Sequence, residues 1–374
     1  MIKMKQDILH ECYEKAKACI KKCISPYGLF ASGGVDGYNA IWSRDSMIAM
    51  IGASLSHEES FKEVFKQSII TLGEHQSKNG QIPNCIDKFA DRAPHVDFKT
   101  IDSSLWYIIG NYTYKERYKD DSLLNANKIL IDKALSWLAC QDAGEIGMLA
   151  QLPTSDWQDA FPHKYGYIIS TQVLYYKVLN LIGDNESAKK LRFIVNEDKD
   201  DSLWNGNFYD AYRWKNHGKY KEIGEWFDSL GNILAIIFEV ADEEKAEKIL
   251  NYIKKKKINQ PYPIRDIYPP IKQGSKYWQD YYLDCSAGKP NSYSNGGIWG
   301  YIGCFYVLAL IKAGKIKEAE TELKKIAEID LEWGFPEWVH PLKKTVGQKD
   351  KLQAWEAGAF ILAYDSLKKG ECLI

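Results

Sequence analysis

No run of about 18 apolar residues occurs in this chain, which argues against a membrane-spanning helix. Its opening, MIKMKQDILHECYEK, lacks the apolar core that a secretory signal needs. The eight cysteines (Cys12, Cys19, Cys23, Cys85, Cys140, Cys285, Cys304 and Cys372) form no CxxC pair and join no histidine at zinc-ligand spacing. Free thiols in a reducing, cytoplasmic compartment are therefore expected, with no metal. A basic excess is missing too: 49 Lys and Arg stand against 50 Asp and Glu, a net charge of −1. That argues against a nucleic-acid partner. With no phosphate-binding loop, dinucleotide fingerprint or convincing Ser/His/Asp pattern, no cofactor is expected.

Aromatic residues, by contrast, are plentiful: 12 Trp and 24 Tyr. Their faces suit the CH-rich faces of sugars, and their polar tips can hydrogen-bond. An aromatic-rich core accounts for the counts equally well. Helical periodicity dominates, and strands are hard to find. It predicts twelve helices, near residues 4–21, 43–56, 58–76, 102–115, 120–139, 165–182, 184–197, 224–240, 242–256, 295–313, 315–330 and 351–368. Short and long connectors alternate between them. The even-numbered helices are apolar nearly all round, as in GNILAIIFEV and GYIGCFYVLALI. The odd-numbered ones are amphipathic, as in EEKAEKILNYIKKKK. A helix apolar all round is buried, whereas an amphipathic one faces water. Six helical hairpins in a ring follow: an all-α (α/α)6 barrel, folded as one domain over residues 1–374.

In such a ring every long loop lies at the N-terminal end of an inner helix, on one face. Two acidic motifs fall in opposite loops: Ser155-Asp156-Trp157-Gln158-Asp159 before the third inner helix and Phe335-Pro336-Glu337-Trp338 before the sixth. Inverting cleavage of a glycosidic bond needs a carboxylic acid on one side of the sugar and a carboxylate on the other to activate water. Residue type leaves both Asp156 and Asp159 open as the acid. Trp42-Ser43-Arg44-Asp45 reads either as a sugar clamp or as an Arg–Asp pair at a helix start. Asp102 suits the N-cap of the second inner helix, with room for substrate contact. Glu225 flanks aromatics before the fourth, where Gly231 and Asn232 inside an apolar helix imply close packing or polar contact. Arg265 and Trp299 belong to the fifth loop. Glu356, an acid in an apolar helix, reads as a buried hydrogen-bonding support.

Taken together, these segments resemble the six-hairpin glycosidases, over nearly the whole chain. Trp42-Ser43-Arg44-Asp45 resembles the Trp-x-Arg-Asp motif of glucoamylases, which holds the sugar at the cleaved end. Trp157-Gln158-Asp159-Ala160 is similar to a segment of the amylo-α-1,6-glucosidase domain of glycogen debranching enzymes and to the acid motif of trehalases. Trp226-Phe227 with Leu230-Gly231-Asn232, Asn295-Gly296-Gly297-x-Trp299 and Gln353-Ala354-Trp355 look like segments of alkaline/neutral invertases. The resemblance favours Asp159 over Asp156 as general acid and implies Glu337 as general base. It also implies sugar contacts from Trp42, Arg44, Asp45, Asp102, Trp157, Glu225, Arg265, Trp299 and Trp355. Glu356 stands where relatives often carry Ser. No β-sandwich segment is evident, which favours a small substrate over a long glucan. The expected activity is inverting, exo-acting hydrolysis of an α-glucosyl oligosaccharide or small α-glucoside. A phosphorylase or other sugar-modifying enzyme on the same barrel, or an inactive carbohydrate-binding protein, is the alternative.

Overall fold

The computed structural model describes residues 7–87, 93–217, 219–284 and 286–374. Cys285, expected as a free thiol, lies outside them. The described residues form thirteen α-helices: α1 (Ile8–Cys23), α2 (Ser43–Ala53), α3 (Glu59–Glu74), α4 (Asp102–Tyr118), α5 (Ser122–Ala126), α6 (Lys128–Ala139), α7 (Ile169–Ile182), α8 (Asn185–Glu197), α9 (Ser229–Ile237), α10 (Glu243–Lys256), α11 (Gly300–Lys312), α12 (Ile316–Trp333) and α13 (Ala354–Lys369). Helices α2, α4, α7, α9, α11 and α13 each pack on the next, and α13 packs back on α2. The inner ring therefore closes. Helices α3, α6, α8, α10 and α12 back the first five inner helices, and α1 backs α13. This is the (α/α)6 barrel.

Hydrophobic patterning assigns each helix to its layer. Every residue of α11 from Gly300 to Ile311 is buried. Outer helix α10 buries only Ala246, Ile249, Leu250 and Ile253, a single stripe. Helices α2 and α13 approach so closely that a Cβ on Gly52 would lie 1.8 Å from the Gly358 carbonyl oxygen. Gly231 and Asn232 are used as expected. A Cβ on Gly231 would meet Ile169 Cγ2 at 2.4 Å. Asn232 accepts from Tyr209 N (2.8 Å) and donates to the Tyr209 carbonyl (2.9 Å).

Strands are more numerous than the sequence suggests. The loop side carries β1 (Ile24–Ser25), β2 (Gly28–Leu29), β3 (Ile41–Trp42), β4 (Cys85–Asp87), β5 (His95–Asp97), β6 (Ala150–Gln151), β7 (Gly166–Ile168), β8 (Asp210–His217), β9 (Tyr220–Asp228) and β10 (Ile267–Tyr268). They form a hairpin, a three-stranded sheet β3-β4-β5 and a five-stranded sheet β10-β9-β8-β7-β6. Strands β7 and β9 occupy residues expected to start the helices near 165–182 and 224–240. Both run straight into the buried inner helix that follows, so the apolar signal is continuous across the change of period. The helix expected from 295 begins at Gly300, and the one expected over 120–139 is split between α5 and α6.

Candidate active site

The first and sixth loops dock on one another. Gly33 N donates to the Leu352 carbonyl (3.1 Å) and Gly34 N to the Lys351 carbonyl (3.2 Å). A Cβ on Gly34 would sit 2.3 Å from the Asp350 carbonyl oxygen, so only glycine permits this contact. The docking brings Tyr38 beside Glu337.

Between the loops lies a cavity of about 150 Å³. Eight of the expected residues line it: Trp42, Arg44, Asp45, Trp157, Asp159, Trp299, Glu337 and Trp355. Tyr38, Tyr293 and Gln353 complete the wall. The sequence assigns no role to these three, although each lies inside or beside a segment that carries a motif.

Glu337 accepts hydrogen bonds on Oε1 from Tyr293 Oη (2.9 Å) and Tyr38 Oη (3.1 Å). Burial raises its pKa above the ordinary glutamate value, while the two phenols and Lys351 oppose the rise. Asp159 is open to the cavity but hemmed in by protein, and this desolvation raises its pKa; Arg44 and Lys99 pull it back. Asp156 is a different kind of residue. It is buried and ion-paired to Lys164 Nζ at 3.0 Å. Of the two aspartates, only Asp159 lines the cavity.

Arg44 forms the cavity floor. Its Nη1 lies 3.1 Å from Asp102 Oδ2 and its Nη2 3.6 Å from Asp45 Oδ2, and the guanidinium sits over the Trp355 ring at 5.7 Å. Trp355 in turn stacks on Tyr301, with centroids 4.1 Å apart. Burial works against the Arg44 charge, but Asp102 and Asp45 outweigh it and hold the guanidinium above its ordinary pKa. Burial pushes Asp45 up to about 6, despite Arg44. Several buried polar atoms here have no hydrogen-bond partner: Trp42 Nε1, Arg44 Nε, Asp45 Oδ2, Trp157 Nε1, Gln353 Oε1 and Trp355 Nε1. Orphaned polar atoms buried together are costly unless a ligand or water meets them.

Three expected sugar contacts lie elsewhere. Asp102 is no N-cap; it is the first residue of α4, and it grips Arg44 from behind the cavity wall. Glu225 is exposed on β9 between buried Gly224 and Trp226, because strand alternation turns it outward. It is ion-paired to Lys276 and accepts from Tyr277 Oη (3.0 Å). Arg265 Nη1 reaches Asn291 Oδ1 at 3.5 Å, away from the cavity lining. A larger depression of about 880 Å³ lies at the C-terminal ends of α9 and α11. Of its four lining carboxyls, Glu239 and Glu247 are each ion-paired to a lysine at 2.9 Å and Asp242 to Lys245 at 2.7 Å, so only Glu243 is left and no facing pair of unpaired carboxyls remains.

Residues 14–218, more than half of the chain, match the amylo-alpha-1,6-glucosidase family. The chain belongs to that family. That family, and the barrel it shares with this chain, are those of glycoside hydrolases. Residues 221–369 match the alkaline and neutral invertase family. Among curated proteins, the chain is similar to neutral/alkaline invertase 1, mitochondrial, of Oryza sativa subsp. japonica, 30% identical over 139 residues, covering 36% of this chain and 22% of that protein. It is also similar to alkaline/neutral invertase C, mitochondrial, of Arabidopsis thaliana, 28% identical over 149 residues, 39% of this chain and again 22% of that protein. The chain thus spans about a fifth of these relatives. Among solved structures, a GH63 mannosylglycerate hydrolase from Thermus thermophilus, in complex with glucose, superimposes with a TM-score of 0.68 at 13% identity, covering 93% of this chain and 99% of that one. A rhamnosidase from Klebsiella oxytoca with rhamnose bound gives 0.69 at 13% identity, over 98% and 65%. Both likenesses concern the fold.

Proposed function

We propose that this family member is an inverting, exo-acting glycoside hydrolase of small α-glucosyl substrates, with Asp159 as general acid and Glu337 as general base. The observation that carries this reading is the cavity itself. Two carboxyls with raised pKa values border a space whose other walls carry aromatic side chains and the Arg44–Asp45 pair. A sugar supplies both an apolar face for the rings and hydroxyls for the charged groups. In the reaction, the Asp159 proton passes to the glycosidic oxygen as the C–O bond breaks. A water attacks the anomeric carbon from the opposite side and gives its proton to Glu337. Tyr38 and Tyr293, both on Oε1, fix the orientation of that carboxylate. Arg44, Asp45, Trp42 and Trp355 hold the sugar. The cavity is smaller than the roughly 300–1,000 Å³ of typical small-molecule pockets, in keeping with one terminal sugar unit. The reading extends to a single catalytic domain, without cofactor, in the cytoplasm; the buried free thiols Cys12, Cys19, Cys23, Cys85 and Cys304 are compatible with a reducing compartment.

Turnover of an α-linked disaccharide panel, including sucrose, trehalose, kojibiose and isomaltose, followed by NMR, tests this. The glucose whose anomeric carbon is attacked should first appear as the β-anomer, read directly from sucrose, which releases only that glucose. First-formed α-glucose from that carbon would mean retention and remove Glu337 from the role of base. Asp159→Asn and Glu337→Gln should each lower kcat by about 10²–10⁴-fold with the fold intact by circular dichroism. Wild-type rates in either variant would end the assignment.

A further inference from the structure

Beneath the loop that carries Asp159 lies a buried polar cluster to which the chemistry above makes no appeal. Lys164 is fully buried. Its Nζ donates to Gln158 Oε1 (2.7 Å) and Asp228 Oδ2 (3.1 Å), and pairs with Asp156 Oδ2 (3.0 Å). Gln158 Nε2 donates to Asp266 Oδ2 (3.0 Å), whose Oδ1 accepts from Gly296 N (2.7 Å). Asp228 Oδ1 accepts from Gly231 N (2.8 Å) and so caps α9. Asp156 Oδ1 accepts from Gln158 N (2.9 Å) and its Oδ2 from Gln151 Nε2 (3.1 Å). Asp156, Gln158, Lys164, Asp228 and Asp266 are all at most 1% exposed.

The bonds join three separate loops. Residues 156, 158 and 164 bracket Asp159 on the acid loop. Asp228 opens the fourth inner helix. Asp266 and Gly296 belong to the loop before the fifth. One lysine cation meets two carboxylates, and one neutral amide links it to a third. A group transferring a proton must be held to within a fraction of an ångström, and a loop does this only if its own support is rigid.

We propose that Lys164 and Gln158 are positioning residues. They pin the 156–164 loop to the start of α9 and to the Asp266–Gly296 segment, and so hold the Asp159 carboxyl where it can protonate the leaving oxygen. The proposal rests on Asp159 being the general acid. Neither residue lines the cavity, so their loss reaches the chemistry only through the groups they position, Asp159 foremost.

The test uses leaving groups. An alcohol leaves only with a proton, whereas fluoride leaves without one. Lys164→Gln and Gln158→Met are assayed on the disaccharide that the wild type turns over and on the glycosyl fluoride of the same glycone. Each variant should lose about 100-fold in kcat on the disaccharide, with KM within about threefold, and keep fluoride turnover within about fivefold. A merely structural defect lowers both substrates together, and that result overturns the proposal, as does full disaccharide turnover. Lys164→Gln leaves two buried carboxylates without their cation; should it fail to fold, Gln158→Met changes no charge and gives the same readout. Asp159→Asn run in parallel separates two failures. If it shows the disaccharide–fluoride split and the other variants do not, positioning is wrong. If it depresses both substrates equally, the acid assignment falls and the proposal falls with it.

Discussion

Asp159 and Glu337 experience the same physical pressure and need opposite protonation states. Desolvation by the surrounding protein raises both pKa values, and the Asp159 charge raises that of Glu337 further. The acid must hold its proton, so turnover declines as pH rises through the Asp159 pKa. The base must be ionised, so turnover declines as pH falls through the Glu337 pKa. A bell-shaped kcat profile is expected, whose limbs belong to the coupled pair. Tyr293 donates to the ionised form of Glu337 and lowers its pKa. Tyr293→Phe should therefore move the acidic limb to higher pH; an unmoved limb would break the link between that phenol and the base. At this scale the sequence is informative where chemistry has a signature. An acid beside Trp, or Arg-Asp after Trp, marks a site. Tyr38, Tyr293 and Lys164 carry no such mark, since a lone tyrosine or lysine in a polar loop has no spacing to read. Asp102 and Glu225 mislead because residue type is silent about which way a side chain turns.

At the scale of elements, the inner helices are legible because burial on every side erases periodicity, while the outer helices keep a single apolar stripe. The five-stranded sheet is not. Strand β9 feeds α9 without a polar break, although alternation around Tyr212 and Trp214 followed by the residue types Asn216-His217-Gly218 offers a hairpin signal in the sequence. One helix contact has a measurable consequence. Asp330 of α12 and Glu356 of α13 are buried and electrostatically coupled, with Cys12 Sγ of α1 at 3.9 Å from Asp330 Oδ2. Burial holds both carboxyls well above their ordinary pKa values, and Asp330 adds to the rise at Glu356. A carboxyl whose pKa is raised by folding binds its proton more tightly in the folded state. Its contribution is complete below about pH 4, the unfolded-state pKa, and is lost as pH rises through the folded-state value. Denaturant unfolding over a pH series should show stability falling toward high pH. Glu356→Gln should flatten that slope by up to about 1.4 kcal/mol per pH unit. Parallel curves for the two proteins would show that Glu356 is not proton-linked to folding.

For the molecule as a whole, the sixth hairpin is unlike the others because its two helices come from opposite ends of the described chain. Helix α1 buries Leu9, Cys12, Ala16, Cys19, Ile20 and Cys23. It packs on both α12 and α13. Cys23 Sγ lies 3.5 Å from the Leu352 carbonyl and Cys19 Sγ 3.8 Å from the Gln353 carbonyl, directly behind the loop that reaches the cavity. The ring and the base-bearing loop thus share one support. Burial of each Leu or Ile contributes about 1.5–3 kcal/mol, against a total stability of about 5–15 kcal/mol for a typical domain. Removing residues 8–23 should therefore abolish cooperative unfolding and turnover together. The milder Ile20→Ala should cost about 2–5 kcal/mol by denaturant titration while leaving kcat per folded molecule near wild type, since it leaves a cavity without moving Gln353. If the truncated chain kept both a cooperative transition and turnover, five hairpins and an unbacked α13 would suffice to close the ring, and α1 would be a cover rather than a structural member.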